Sequence, residues 1–270
     1  MQAYYGALSV VVILSAIIPQ FNELANTLPL PAAITTKELI GFLIYTAMLI
    51  PVLLWVPAHQ LRKCLYPSFV AILATLVGIT AWACVKNGGT GSLISSSVSI
   101  TSGQRAFRMV QCMSSVGGTW GAAAERISDW TRFERKRGVS TPAMIFTLPI
   151  TVTFSAILGV LTATATSQIY GESIWNPLLL LQQIQTSSYT PAVRAGTFFA
   201  GCGLLSCEVF LQVSQNSIPY GMDLAGLFPR YVSMKRGAIF LTLCTLLIQP
   251  WRFYSQASIF VTILSGLTST

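Results

Sequence analysis

Long apolar stretches with almost no charge constrain this chain more than any other feature. A helix that crosses a bilayer needs about 20 largely apolar residues and tolerates few charges. Met1 to Asn22, Leu39 to Trp55, Cys64 to Val85, Ala143 to Thr166, Ala195 to Ser214 (broken only by Glu208), Gly237 to Ile248 and Gln256 to Thr270 meet or approach that requirement. A weaker candidate runs from Ala106 to Glu125. With 53% apolar and only 9% charged residues, the chain has too little polar surface for a soluble globule. The expectation is an all-α polytopic membrane protein with about eight spans, forming one membrane domain over residues 1–270. The first and last spans reach the chain termini without polar flanks and look cut rather than capped. Met1 opens directly into Gln2-Ala3-Tyr4-Tyr5-Gly6, without a basic region or a small-residue cleavage pattern, so it does not read as a signal peptide.

The net charge of +8 is split among the connections rather than gathered on one face, which argues against a nucleic-acid partner. Taken by alternate connections, Arg62, Lys63, Arg126, Arg132, Arg135, Lys136, Arg137, Arg230, Lys235 and Arg236 fall in one set. Lys37, Lys86, Arg105, Arg108, Arg194 and Arg252 fall in the other. The richer set is expected to face the cytoplasm, which turns the connection from Asn22 to Thr36 outward.

Cys64, Cys84, Cys112, Cys202, Cys207 and Cys244 lie in or beside apolar spans without metal-ligand spacing, and packing is their expected role. The single histidine, His59, sits among basic residues, and no serine or cysteine nucleophile has a histidine in suitable context. An enzyme is therefore not expected, nor a metal or cofactor.

Turn chemistry marks connections at Asn26 to Ala32, Asn87 to Ser102, Gly171 to Pro191 and Gln215 to Gly237. The segment Ser114-Ser115-Val116-Gly117-Gly118-Thr119-Trp120-Gly121 places glycines and hydroxyls in the middle of the weakest span. Each glycine costs a helix roughly 1 kcal/mol. Two readings stay open: a helix broken where it lines a site, or a Gly117 to Gly121 contact that lets two helices approach closely.

Gln2-Ala3-Tyr4-Tyr5-Gly6, Trp120 to Phe133, Ile169 to Pro177 and Asn216 to Tyr231, in that order along the chain, resemble motifs of the nucleobase:cation symporter-1 family, in particular its fungal uracil, uridine and allantoin permease branch. Gln2-Ala3-Tyr4-Tyr5-Gly6 is similar to the middle of the family's third helix, and Asn26-Thr27-Leu28-Pro29 and Gly41-Phe42 follow. Trp120 to Phe133 resembles the sixth-helix motif, with Asp129 and Arg132 at its end. Ile169 to Pro177 resembles the connection after the seventh helix, and Arg194 to Phe199 the start of the eighth. Asn216 to Tyr231, then Lys235-Arg236-Gly237 and Pro250-Trp251, complete the match. The resemblance implies a LeuT-like inverted-repeat fold of twelve helices, with part of the third through most of the tenth present here.

The resemblance also implies a site. Trp120 matches a tryptophan that stacks on a planar substrate, beside backbone at Gly118. Gln2 matches a third-helix glutamine whose amide offers a donor and an acceptor to a ring edge. Gln212 and Asn216 stand four residues apart, one turn, where the family has two amides; Gln212 replaces the commoner asparagine. Phe210 and Leu211 occupy the positions where sodium-using relatives carry hydroxyls, and neither can ligate a hard cation. Proton coupling is therefore expected, with Glu208, alone in an apolar span, as the carrier or else the partner of an arginine on another helix. Asp129 and Arg132 are expected to lock the inner end of the sixth helix.

The function expected is a symporter that imports a nucleobase, nucleoside or related heterocycle with protons, in the plasma membrane. Thiamine or another heterocycle is an alternative substrate, and a transport-inactive remnant an alternative state of the chain.

Overall fold

The computed structural model describes residues 2–56, 60–91, 101–131, 134, 136 and 138–255, without the side chains of 62, 115, 118–126 and 253–255. Every regular element among them is helical. In chain order they are α1 (Gln2–Ile17), the single turn α2 (Pro19–Asn22), α3 (Thr36–Trp55), α4 (Leu61–Asn87) and α5 (Ser102–Thr131). Then come α6 (Leu148–Tyr170), α7 (Pro177–Ser187), α8 (Pro191–Leu211), α9 (Ile218–Leu227), α10 (Met234–Ile248) and α11 (Pro250–Ser255). Two π-helical segments interrupt this order: Ala143–Thr147 leads into α6, and Gln212–Ser217 joins α8 to α9.

Both π segments have the same local cause. Proline lacks an amide hydrogen, and its ring collides with the carbonyl four residues earlier. Pro149 directs that collision at Ile145 and Pro219 directs it at Gln215, each inside a π segment, where the wider turn moves the carbonyl aside.

Among the described residues, four helical stretches are long and apolar enough to cross a membrane: Leu30–Trp55, Lys63–Asn87, Ala143–Tyr170 and Pro191–Leu227. Gln2–Ile17 is apolar but shorter, and the expected span from Gln256 to Thr270 lies outside the described residues.

Three local expectations are corrected. The connection expected from Gly171 to Pro191 contains α7, started by the Asn176 side chain accepting from the Leu178 amide and by Pro177 in the first turn. Leu178, Leu180, Leu181 and Ile184 then bury one face of it. The connection expected from Gln215 to Gly237 is helical as far as Leu227, because Pro219 is tolerated in the first turn of α9. Helix α5 runs unbroken through Gly117, Gly118 and Gly121, so the break, one of the two readings left open there, is not observed; local glycine propensity is outweighed across a helix of 30 residues.

The chain forms two compact units, Met1–Ile94 with Phe154–Trp251, and Ser95–Thr153 with Arg252–Thr270. The first is built around α1, which is apolar on every side and buried along most of its length, from Ala3 to Ala16. Helices α3 and α8 flank it, α4 packs on α8, and α9 packs on α10. Gln185 of α7 is buried and ties three helices together, donating to the Val12 carbonyl at 3.0 Å and to Thr197 Oγ1 at 2.9 Å. The guanidinium of Arg194 donates to the carbonyls of Ala16 at 2.8 Å and Ile17 at 2.9 Å, and the Tyr189 hydroxyl donates to the Ser15 carbonyl. These groups satisfy the unpaired carbonyls at the end of α1 with a favourable positive charge. Lys235 does the same for α3, donating to the Leu54 carbonyl at 3.0 Å.

The second unit contains α5. Asp129 near its end is buried, while Arg132 lies outside the described residues. Beyond the helix, Glu134 accepts from the amides of Gly138 and Ser140, each at 3.1 Å. The Ser140 side chain above all, with backbone amides nearby, holds that carboxyl below its ordinary range.

Candidate functional site: an amide cluster between α1 and the π segment

Helices α1 and α8 run antiparallel. Arg194 at the start of α8 meets the end of α1, and the residues that follow α8 meet the start of α1. This pairing brings together residues that are 214 positions apart in sequence. The Asn216 Nδ2 group donates to the Gln2 side-chain carbonyl and also, at 3.1 Å, to Gln212 Oε1. Gln2, Gln212 and Asn216 thus form one hydrogen-bonded group of three amides, with Asn216 at its centre.

Gln212 and Asn216, which follow α8, sit on the π segment rather than on a regular helix. Gln212 is buried, while Gln2 and Asn216 are partly exposed. Beside them the Ser217 hydroxyl is fully buried and has no hydrogen-bond partner among the described residues. Its place next to a displaced backbone turn fits the usual behaviour of π segments, which collect at functional positions.

Glu208 lies one turn before Gln212 on the same face of α8. Its Oε2 atom is buried without a hydrogen-bond partner among the described residues, so the arginine pairing that the sequence left open is not found there at this oxygen. Its backbone carbonyl accepts a 3.1 Å hydrogen bond from the Tyr45 hydroxyl. The Tyr45 ring has no exposed surface and lies against Gly6 of α1, one turn from Gln2. Sequence reasoning did not single out Tyr45. The only signal for it was a tyrosine inside an apolar span, opposite a glycine that leaves room for a ring.

Trp120 and Gly118 lie on α5, in the other compact unit, and the side chains of residues 118–126 lie outside the described part of the structure. No cluster of three or more metal-ligating side chains occurs among the described residues.

Known proteins settle what kind of chain carries this cluster. The family model described as "Permease for cytosine/purines, uracil, thiamine, allantoin" matches residues 1–270. The chain belongs to this permease family. Among its curated relatives in the permease family is the Thiamine transporter of Saccharomyces cerevisiae, 32% identical over 265 residues, which are 98% of this chain and 44% of the relative. Nicotinamide riboside transporter 1 of the same organism is 31% identical, over the same shares of the two chains. Its Uracil permease is 27% identical over 271 residues, 98% of this chain and 42% of the relative. The chain therefore spans less than half the length of these permeases. No solved structure matches it. The family is one of permeases, not of enzymes.

Proposed function

We propose that the protein is a secondary active transporter that imports a nucleobase, nucleoside or related planar heterocycle coupled to protons. The observation that carries the reading is the group of three amides, Gln2, Gln212 and Asn216, one helical turn from the buried carboxylate of Glu208 in a permease-family chain. Amide heads present both donors and acceptors, as the edge of a heterocycle requires. Trp120 supplies the stacking face for the ring, and Gly118, which has no side chain, leaves room for its edge. Glu208 carries the proton, because a carboxylate within an apolar span is tolerated where it serves a pathway or a partner.

The residues 1–270 act as one membrane transport domain of the LeuT-like inverted-repeat type, with about eight of its twelve helices, embedded in the lipid of the plasma membrane. A second reading of the cargo has a specific observation behind it: the Thiamine transporter and Nicotinamide riboside transporter 1 are 32% and 31% identical, against 27% for the Uracil permease. A larger vitamin-like heterocycle is therefore the alternative substrate to a pyrimidine base.

The test is uptake of labelled uracil, uridine, allantoin, cytosine, thiamine and nicotinamide riboside by cells expressing the protein, across external pH and with sodium replaced. Uptake of one of these compounds should rise as pH falls, should not need sodium, and should lose its pH dependence in Glu208→Gln. A sodium requirement at constant pH would overturn proton coupling.

A further inference from the structure

Helix α10 carries an exposed apolar stripe with a cation at its head. Arg236, Phe240, Leu243 and Leu247 are spaced i, i+4, i+7 and i+11, which places them on one face of the helix, and all four are exposed. Helix α3, which packs on α10, has a matching stripe in Ile44, Met48 and Trp55 and ends on Trp55, whose ring is 79% exposed. An apolar stripe facing outward on a membrane helix faces lipid tails, so the amphipathic or charged residue that closes it marks the level of the headgroups.

The closing residues of the two stripes lie together. Lys235 Nζ donates to the Leu54 carbonyl at 3.0 Å, which fastens the first turn of α10 to the last turn of α3. Arg236 Nη1 donates to the Tyr231 carbonyl at 3.4 Å, and the Arg230 guanidinium lies 6.0 Å from the centre of the Tyr231 ring. The Tyr231 amide donates in turn to the Phe228 carbonyl, so the exposed rings of Phe228 and Tyr231 belong to the same corner. Arg230, Lys235 and Arg236 are all exposed, and among the described residues none of them is paired with a carboxylate. The positive end of the α10 dipole, capped by Ser233, adds to this charge.

Three unneutralised cations, a set of exposed rings and two apolar stripes leading away from them are complementary to a phospholipid with an anionic headgroup. Its phosphate accepts charge-assisted hydrogen bonds, its ester region meets the rings and its tails follow the stripes. The three cations belong to the basic set expected on the cytoplasmic side, where the leaflet carries the anionic lipids. We propose that the corner formed by the end of α3 and the start of α10 is a binding site for an anionic phospholipid of the inner leaflet, with the headgroup on Arg230, Lys235 and Arg236 and a tail along Phe240, Leu243 and Leu247. Lys235 serves both partners, because an ammonium has three donors and the Leu54 carbonyl takes one. Arg230 makes no side-chain hydrogen bond among the described residues, so its charge can be removed without disturbing the fold.

The protein, expressed from its own gene and purified in a neutral detergent, is titrated with phosphatidylserine and in parallel with phosphatidylcholine, and bound lipid is counted by native mass spectrometry. The unaltered protein should bind one phosphatidylserine at least about tenfold more tightly than phosphatidylcholine, and each cation removed should weaken the anionic lipid roughly fivefold. Arg230→Gln with Arg236→Gln should therefore weaken phosphatidylserine about 25-fold and leave phosphatidylcholine unchanged. Arg105→Gln with Arg108→Gln makes the same change in net charge on another connection and should alter neither lipid.

Equal binding of the two lipids by the unaltered protein overturns the proposal. So does an equal loss in the Arg105 and Arg108 variant, which would mean that overall charge and not this corner attracts the lipid. Displacement of phosphatidylserine by excess inorganic phosphate would also overturn it, since the site would then hold a free anion and not a lipid. Should the double variant at Arg230 and Arg236 fail to fold, Arg230→Gln alone carries the test, and unchanged affinity for phosphatidylserine in that variant overturns the proposal.

Discussion

Gly6 leaves the space that the Tyr45 ring fills, and adding one methyl there should destabilise the protein in a way that removal of the ring cancels. An alanine Cβ at position 6 would lie 2.2 Å from Tyr45 Cε2, 2.4 Å from Cζ and 2.6 Å from Cδ2. Carbon atoms in ordinary contact stand about 3.5–4.0 Å apart, so the ring must move by more than about 1 Å. It has nowhere to go without loss, being fully buried and anchored through its hydroxyl to the Glu208 carbonyl at 3.1 Å. Overpacking costs about 1–3 kcal/mol and loss of that hydrogen bond about 1 kcal/mol. The better helix propensity of alanine returns about 1 kcal/mol. Gly6→Ala should therefore cost about 1–3 kcal/mol net.

The assay is a double-mutant cycle on purified protein in detergent, read by equilibrium unfolding. Tyr45→Ala alone should cost about 3–5 kcal/mol through the cavity it leaves. Gly6→Ala added to Tyr45→Ala should cost nothing further, or restore up to about 1 kcal/mol. The coupling energy between the two positions should thus be about 1–4 kcal/mol. Additivity of the two changes within about 0.5 kcal/mol would refute the reasoning, because it would mean that the methyl and the ring do not compete for one space.

Other expectations are simpler to state. Trp120→Ala should abolish saturable uptake at unchanged surface level while Trp120→Phe retains part of it, as stacking requires; unaltered kinetics in the alanine variant would remove Trp120 from the site. Arg194→Ala should destabilise the end of α1 by about 1–2 kcal/mol, since it removes two charge-assisted bonds to the carbonyls of Ala16 and Ile17. Faster amide exchange in the last turn of α1, with α10 unchanged, is the signature to look for. The Glu134 carboxyl is held below its ordinary range chiefly by Ser140. Its ionised form therefore supports the turn at neutral pH, and the support is lost as pH falls through the lowered value. Protection of the Gly138 and Ser140 amides, measured against the intrinsic exchange rate at each pH, should fall on acidification in the unaltered protein, whereas in Glu134→Gln it should lack that titration; identical profiles would show that the carboxylate does not hold the turn.

The membrane class and the main helices were legible because they depend on composition and length, which are local. Helix α3 was expected from Leu39 but starts at Thr36, since its polar first turn, capped by Thr35 and Glu38, carries no apolar signal. The α7 helix escaped notice because its apolar run, Leu178 to Leu181, is short and follows a proline. The stretch after Gln215 was taken for a connection because Asn, Pro and Gly are turn residues; the proline instead widens one turn and then opens the next helix. Of the site, the one-turn spacing of Gln212 and Asn216 could be read directly, and Gln2 only through a family resemblance. The link from Tyr45 to Glu208 spans 163 positions and depends on how three helices pack, which no local pattern encodes.

The π segment has a mechanical consequence. A turn closed by an i to i+5 bond holds one more residue than one closed by i to i+4, so every side chain after Ser217 is rotated by roughly 100° from where a plain helix would put it. That rotation aims Gly221 at α10, where a Cβ on Gly221 would meet the Met234 carbonyl oxygen at 2.3 Å and one on Gly237 would meet Gly221 Cα at 2.9 Å. Two backbones in such contact leave no slack. Any rearrangement of Gln212 and Asn216 that tightens the wide turn must swing Gly221 off this seat, so the amide cluster and the α9–α10 contact are geared to one another: neither can turn while the other stays still.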